Sequence, residues 1–306
     1  MTALRSMEDK VIVVTGAGRG IGREIALLAA VHGARVVVND LGTAADGQGA
    51  DAGPAAQVVA EIAAAGGVAC ANLDDVSDSR SGERMVQQAM DTYGRLDCVV
   101  NNAGILRDRM FHRMSREDFE SVLKVHLLGS FYLSRAAAAL FREQASGSFV
   151  HFTSASGLVG NLGQANYAAA KMGIVGLSKS IALDMARFNV RSNCVCPFAW
   201  SRLVGTIPTE TESERQRVER IKAMGAEKIA PLCVFLASDL AQDVSGQVFV
   251  VRKNEIFLMS QPRPLRSVHR SDGWTVESIN EHMLPSLRAS FYPLDRSADV
   301  FSWDPV

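Results

Sequence analysis

The chain has 306 residues, 47% of them hydrophobic and 21% charged, which fills a sizeable core in one α/β domain or two small ones. A net charge of −1 with no basic run excludes nucleic acid and anionic membrane as expected partners. Five cysteines without paired spacing, no apolar leader in MTALRSMEDK and no run of the roughly 18 apolar residues that a bilayer span needs point to a reduced, soluble, cytoplasmic protein with no metal site.

Apolar strand-like runs alternate with longer helical stretches, the pattern of βαβ units around a parallel sheet. VIVVTG (11–16) reads as the first strand and 20–31 as the helix after it. Between them, VVTGAGRGIG sets Gly16, Gly20 and Gly22 at a strand-to-helix turn. A side chain there would keep a pyrophosphate from the helix N-terminus, whose free N–H groups and dipole attract it. RVVVND (35–40) is the second strand and ends in Asp40, about 20 residues beyond the turn. An acid at that position accepts both ribose hydroxyls of NAD and repels the 2′-phosphate of NADP. Arg19 pulls the other way, because a basic loop residue suits that phosphate. Asp40 outweighs it, since it stands where the ribose must lie, and NAD is the expected cofactor.

A Gly/Ala/Asp-rich loop, LGTAADGQGADAGP, leads to a helix over 55–65 and a third strand over 67–75. A helix over 79–94 precedes the fourth strand, RLDCVVNNAG (95–104). Residues 115–142 read as helical and SFVHFTS (148–154) as the fifth strand. GQANYAAAKMGIVGLSKS (163–180) opens the next helix, followed by strand VRSNCVCP (190–197), helix 228–240 and a seventh strand over 246–251. Segment 198–225 mixes Trp200, Leu203, Val204 and Ile207 with many charges. That suits a flap over an apolar group and equally an exposed helix. Arg202, Arg215 and Arg217 within it read either as phosphate partners or as solvated charges. Residues 252–306 hold five of the nine prolines and scattered aromatics. They form an expected extension, packed on the catalytic domain (1–251) or on a neighbouring subunit, and the final SWDPV is not a peroxisomal address.

Tyr167 and Lys171 lie four apart and so share one helix face. The pair alone describes any helix rim. Chemistry gives it more meaning: a tyrosine with pKa about 10 is a poor base at neutral pH, and a lysine one turn along, beside a positive nicotinamide ring, favours the phenolate. Ser154 stands at a strand end thirteen residues earlier, and its hydroxyl both donates and accepts.

The order of T-G-x-x-x-G-x-G (Thr15 to Gly22), N-N-A-G (Asn101 to Gly104), Ser154 and Y-x-x-x-K resembles the short-chain dehydrogenase/reductase family across about residues 8–251. VVVNDLG with its inserted loop, NNAGILRD, VHLLGSF and PFAWSRL are similar to the (3R)-hydroxyacyl-CoA dehydrogenase unit of multifunctional enzyme type 2, also described as 17β-hydroxysteroid dehydrogenase type 4. The loop and the C-terminal extension resemble single-domain bacterial relatives associated with steroid breakdown.

The resemblance implies a Rossmann-type, doubly wound, seven-stranded parallel sheet, and a homodimer or homotetramer. It implies Ser154, Tyr167 and Lys171 as catalytic residues. It places Asp75 and Val76 at the adenine, Asn102 on the adenosine ribose side, Ile21 against the pyrophosphate and Gly104 where the cofactor needs room. Pro197 to Ser201, with Ala199 among them, would flank the nicotinamide carboxamide, although the usual proline-glycine pair is here Pro197-Phe198. Where the family commonly carries an asparagine supporting a water in the proton path, this chain has His126. The implied activity is NAD-dependent oxidation of a (3R)-hydroxyacyl-CoA, with a steroid-derived acyl group among the options. Alternatives are a dehydrogenase of free 17β-hydroxysteroid, a 3-ketoacyl-thioester reductase and, from another class, a nucleotide-sensing binder. A pure binder has no need of Tyr167 and Lys171 together.

Overall fold

The computed structural model describes residues 5–199, 212 and 224–306. Seven strands run parallel: β1 (Val11–Thr15), β2 (Arg35–Asn39), β3 (Val68–Asn72), β4 (Cys98–Asn101), β5 (Gly147–Phe152), β6 (Val190–Phe198) and β7 (Val248–Arg252). The sheet order is β3-β2-β1-β4-β5-β6-β7-β8. Strand order therefore reverses on either side of β1, and a crevice opens there at the carboxyl ends, the usual ligand position in such sheets.

Valine-rich strands suit this sheet because both faces are covered. In β1, Ile12 and Val14 point into one core cluster and Val11 and Val13 into the other. The helices α1 (Gly20–Val31) and α2 (Gly53–Ala64) cover the first face through Ile25 and Val58. On the second face, α3 (Ser81–Tyr93) contributes Met85. Helix α4 (Arg116–Leu123) runs through one π-helical turn, Lys124–Leu128, into α5 (Gly129–Gln144), which contributes Leu133 and Phe141. The short α6 (Ala155–Leu158) and the long α7 (Ala165–Met185) follow β5. Helix α8 (Ala230–Ala237) returns to the first face with Leu232 and Leu236.

The sheet has one strand more than the sequence pattern indicates. Directly after β7, a two-residue turn at Lys253 and Asn254 reverses the chain into the antiparallel β8 (Glu255–Leu258). Lys253 adopts φ +58°, a conformation in which glycine or asparagine is the usual signal. With lysine there and only four residues in the strand, periodicity alone does not reveal the hairpin.

The chain end packs back beside the cleft. Ser297 donates to Gly160 O from its backbone N–H (2.9 Å) and its hydroxyl (3.1 Å). Phe301 is buried against Phe198 and Phe257, with ring centres 4.9 and 5.6 Å away. Arg252 donates to Trp303 O. Most of the expected flap over 198–225, with Trp200, Ser201, Leu203, Val204, Ile207, Arg202, Arg215 and Arg217, lies outside the described residues. Among the described residues, no helix is long and apolar enough to cross a membrane.

Candidate active site

A cleft of about 1560 Å³ opens along the carboxyl ends of the strands and joins the glycine-rich turn to the helix that carries Tyr167. Gly16, Arg19, Gly20 and Ile21 line one end of it. Gly20 adopts φ +54°, and a Cβ there would meet nothing within 4 Å, so the turn faces open space. Gly22 does not line the cleft; its Cβ would lie 2.3 Å from Gly16 O, so it is the residue that lets the turn close on itself.

Asp40 stands beside this turn. One carboxylate oxygen accepts from Gly18 N–H and the other from Gly42 N–H, both at 2.7 Å. Each oxygen keeps a further acceptor position for a hydroxyl. Asp75 and Val76 line the same end, as does Asn102. The Asn102 amide is already engaged, donating to Thr15 O (2.9 Å) and Gly16 O (3.1 Å), while the backbone N–H groups of Asn102 and Ala103 donate to Thr15 Oγ1. Its visible role is to clamp β4 to the end of β1. Pro197 and Ala199 also line the cleft.

Helix α7 raises Tyr167 and Lys171 on one face, as i and i+4. Lys171 Nζ sits 5.5 Å from the centre of the Tyr167 ring and donates to Phe152 O at 2.7 Å. Thr153 Oγ1 donates to Lys171 O at 2.8 Å and ties the helix to β5. Ser154 caps α6, its oxygen accepting from Ser156 N–H at 3.2 Å. It lies close enough to the phenol to favour its ionised form.

His126 lies in the π-helical turn with its ring edge-on to Tyr167, centres 5.2 Å apart. Its Nε2 lies 3.1 Å from Ile105 N–H, which can donate to it, and 2.8 Å from Ile105 O, and its Nδ1 is buried without a partner. A Cβ on Gly104 would lie 2.2 Å from the ring, so glycine at that position leaves the imidazole its space. Burial, then the charge of Lys171, hold His126 well below the usual imidazole range.

Burial also governs the Tyr167–Lys171 pair. It pushes the Tyr167 phenol up to about 12, and it lowers the Lys171 ammonium to about 7. The lowering of the phenol expected from Lys171 is not a property of the chain alone, because the cost of burying a phenolate exceeds what the neighbouring groups return.

Several cleft residues carry no sequence signal. Ser156 donates to Gln164 Oε1 (2.7 Å), Asn161 donates to Ser156 Oγ (3.0 Å), and Gln164 Nε2 donates to an Asp108 carboxylate oxygen (2.8 Å). A chain of contacts thus runs from Ser154 to the rim. Gln164 lies three residues before Tyr167, yet its partner Asp108 is 56 residues away, beyond any periodic pattern. The inserted loop also reaches the cleft: Leu106 N–H donates to Ala45 O (3.1 Å) and Arg107 Nε to Asp46 O (3.2 Å).

A family model described as enoyl-(acyl carrier protein) reductase matches residues 16–253. The hydroxyacyl-CoA dehydrogenase ChsB1 of Mycobacterium tuberculosis is 41% identical over 273 residues, 85% of this chain and 83% of that protein. Peroxisomal multifunctional enzyme type 2 of Mus musculus is 41% identical over 277 residues, 90% of this chain but 36% of that enzyme, so the chain spans about a third of its length. The crystal structure of a short chain dehydrogenase from Mycobacterium avium superposes with a TM-score of 0.82 at 39% identity, covering 94% of this chain and 97% of the other.

Proposed function

This chain belongs to the short-chain dehydrogenase/reductase family, and from that premise we propose that it oxidises a (3R)-hydroxyacyl-CoA to the 3-ketoacyl-CoA with NAD. It is an oxidoreductase, and its family implies a nicotinamide cofactor. The observation that carries the reading is the meeting of the glycine turn, Asp40, Ser154, Tyr167 and Lys171 in one cleft.

The residues suit a dinucleotide. The open space before Gly20 leaves room for a pyrophosphate at the start of α1, with Gly16 and Ile21 beside it and Arg19 at its edge. Asp40 takes the ribose hydroxyls, which favours NAD over NADP. Asp75 and Val76 would flank the adenine and Asn102 the adenosine ribose side, Gly104 would give the cofactor room, and Pro197 and Ala199 would flank the carboxamide. When bound, the cofactor supplies the hydride acceptor and a positive charge.

In oxidation, Tyr167 as phenolate takes the proton of the substrate hydroxyl; in reduction its phenol returns it. Ser154 orients the reacting oxygen by donating to it. Lys171 favours the phenolate and anchors the ribose. His126, edge-on to Tyr167, stands where a side chain would hold a water in the proton path, and its buried Nδ1 has no protein partner. The ketoacyl thioester then leaves through the same mouth.

Initial rates of NADH formation test the reading. A (3R)-hydroxyacyl-CoA with NAD should exceed both the same substrate with NADP and the free hydroxysteroid by about 10² in kcat/KM, which corresponds to about 2.7 kcal/mol of transition-state binding. Equal rates on thioester and free steroid would remove the thioester assignment, and a preference for NADP would remove the Asp40 argument.

A further inference from the structure

Arg109-Met110-Phe111-His112-Arg113 forms an exposed ledge beside the cleft, although its composition is not that of an ordinary solvent loop. Phe111 is 78% exposed and Met110 49%, and across from them Leu162 is 71% exposed. The backbone holds these surfaces together, because Arg109 N–H donates to Gly163 O at 2.9 Å. Phe111–Arg113 is a single 3-10 turn between that contact and the Ser115 cap of α4. Asp108, Leu162 and Gln164 line the cleft itself, so the ledge continues the wall that begins at Ser154. Large apolar side chains beside a functional mouth mark a contact surface.

The charges on this ledge differ from those nearby. Arg107 is paired with Glu117 at 3.1 Å, and Arg116 with Glu120 at 2.6 Å. Among the described residues, Arg109 and Arg113 are in no ion pair, and the Arg109 guanidinium donates only to Asp108 O, at 2.9 Å. The nearest acid, Asp108, already accepts from Gln164. Two guanidiniums in no ion pair among the described residues, Arg109 feeling the charge of Asp108, with an exposed phenyl ring between them in sequence, match a ligand that carries phosphates and an aromatic base.

We propose that the Arg109–Arg113 ledge is the docking site for the nucleotide end of the thioester substrate, a 3′-phosphorylated adenosine diphosphate, with Arg109 and Arg113 on phosphate oxygens and Phe111 against the adenine. This rests on the acyl-CoA reading above. It gives that substrate a direction: the acyl carbon to be oxidised lies at Ser154 and Tyr167, and the pantetheine arm leaves past Gln164 and Leu162. These are not the arginines of segment 198–225 that the sequence brings forward.

The test compares one (3R)-3-hydroxyacyl group on CoA and on N-acetylcysteamine, which lacks the nucleotide. In the doubly substituted Arg109→Ala, Arg113→Ala chain, KM for the CoA ester should rise about 10- to 100-fold with kcat held, and KM for the N-acetylcysteamine ester should not move. Phe111→Ala should raise only the CoA value, by about tenfold. Adenosine 3′,5′-bisphosphate should inhibit the wild-type protein competitively against thioester, not against NAD, and should lose that inhibition in the double variant. A wild-type protein that handles both esters with one KM, or a double variant that shifts both KM values equally or neither, overturns the site. A wild-type protein inactive on both esters overturns the proposed function instead. Calorimetric titration with the bisphosphate, with NAD saturating, then decides the ledge alone: binding lost in the double variant sustains it, and no binding to wild type ends it.

Discussion

Tyr167→Phe should retain its fold and NAD affinity and lose about 10³-fold in kcat, within the 10²–10⁴ range that a positioned acid or base supplies. The ring packs edge-on against His126, and phenylalanine keeps that contact. Only the oxygen disappears, and with it, among the described residues lining the cleft, the one phenol beside Ser154 and one helical turn from Lys171. Stability should change by about 1 kcal/mol, the usual worth of one hydroxyl contact. Steady-state rates and a thermal melt of the same preparation check both halves. A variant turning over at the wild-type rate would return the chain to the class of nucleotide binders.

Lys171→Met should show opposite effects on activity and stability. On the proposed mechanism, turnover should fall about 10²-fold or more, and NAD should bind more weakly, because the proposed partner of the phenolate and anchor of the ribose would both be gone. The protein without cofactor should nevertheless become more stable at pH 6. Lys171 is 4% exposed, and burial lowers its ammonium from 10.5 to about 7. Below pH 7 it is protonated in both folded and unfolded chains, so the folded state carries the full cost of a buried charge. Between pH 7 and 10.5 the unfolded chain holds a proton that the folded one does not, and wild-type stability rises with pH. The gain from methionine should therefore be largest below pH 7 and shrink as pH approaches 10.5. Melting temperatures across that range check the sign; a gain that grows with pH would contradict it. A buried ammonium that the proposed mechanism needs and the fold holds at a cost is a trade of activity against stability.

Much of this arrangement is legible in the sequence, for a physical reason. The glycine turn, Asp40 and the Tyr167–Lys171 pair are set by local geometry: a strand end, a fixed distance to the next strand end, one helical turn. The buried strands follow from valine runs, because a sheet covered on both faces leaves no position for polar alternation. What escapes is set by the tertiary fold. The π-helical turn that aims His126 at Gly104 leaves no composition signal, and KVHLL reads as ordinary helix. Strand β8 hides behind a lysine at positive φ. The Asn102 amide, in addition to lining the cleft, holds Thr15 and Gly16, a clamp that spacing does not reveal. Gln164, Ser156 and Asp108 meet only because β5, α7 and the loop after β4 end at the same rim. The cleft wall from Ser297 to Trp303 depends on a chain end folding back, which periodicity does not encode.

Ultraviolet titration of tyrosinate most directly tests whether Tyr167 is a base tuned by its surroundings. The spectrum of Tyr167→Phe, subtracted from that of wild type, isolates this one phenol, with and without NAD. The account predicts a pKa near 12 in the chain alone and below the free-tyrosine value of about 10 once NAD is bound. A phenol that titrates equally high in both states would contradict it.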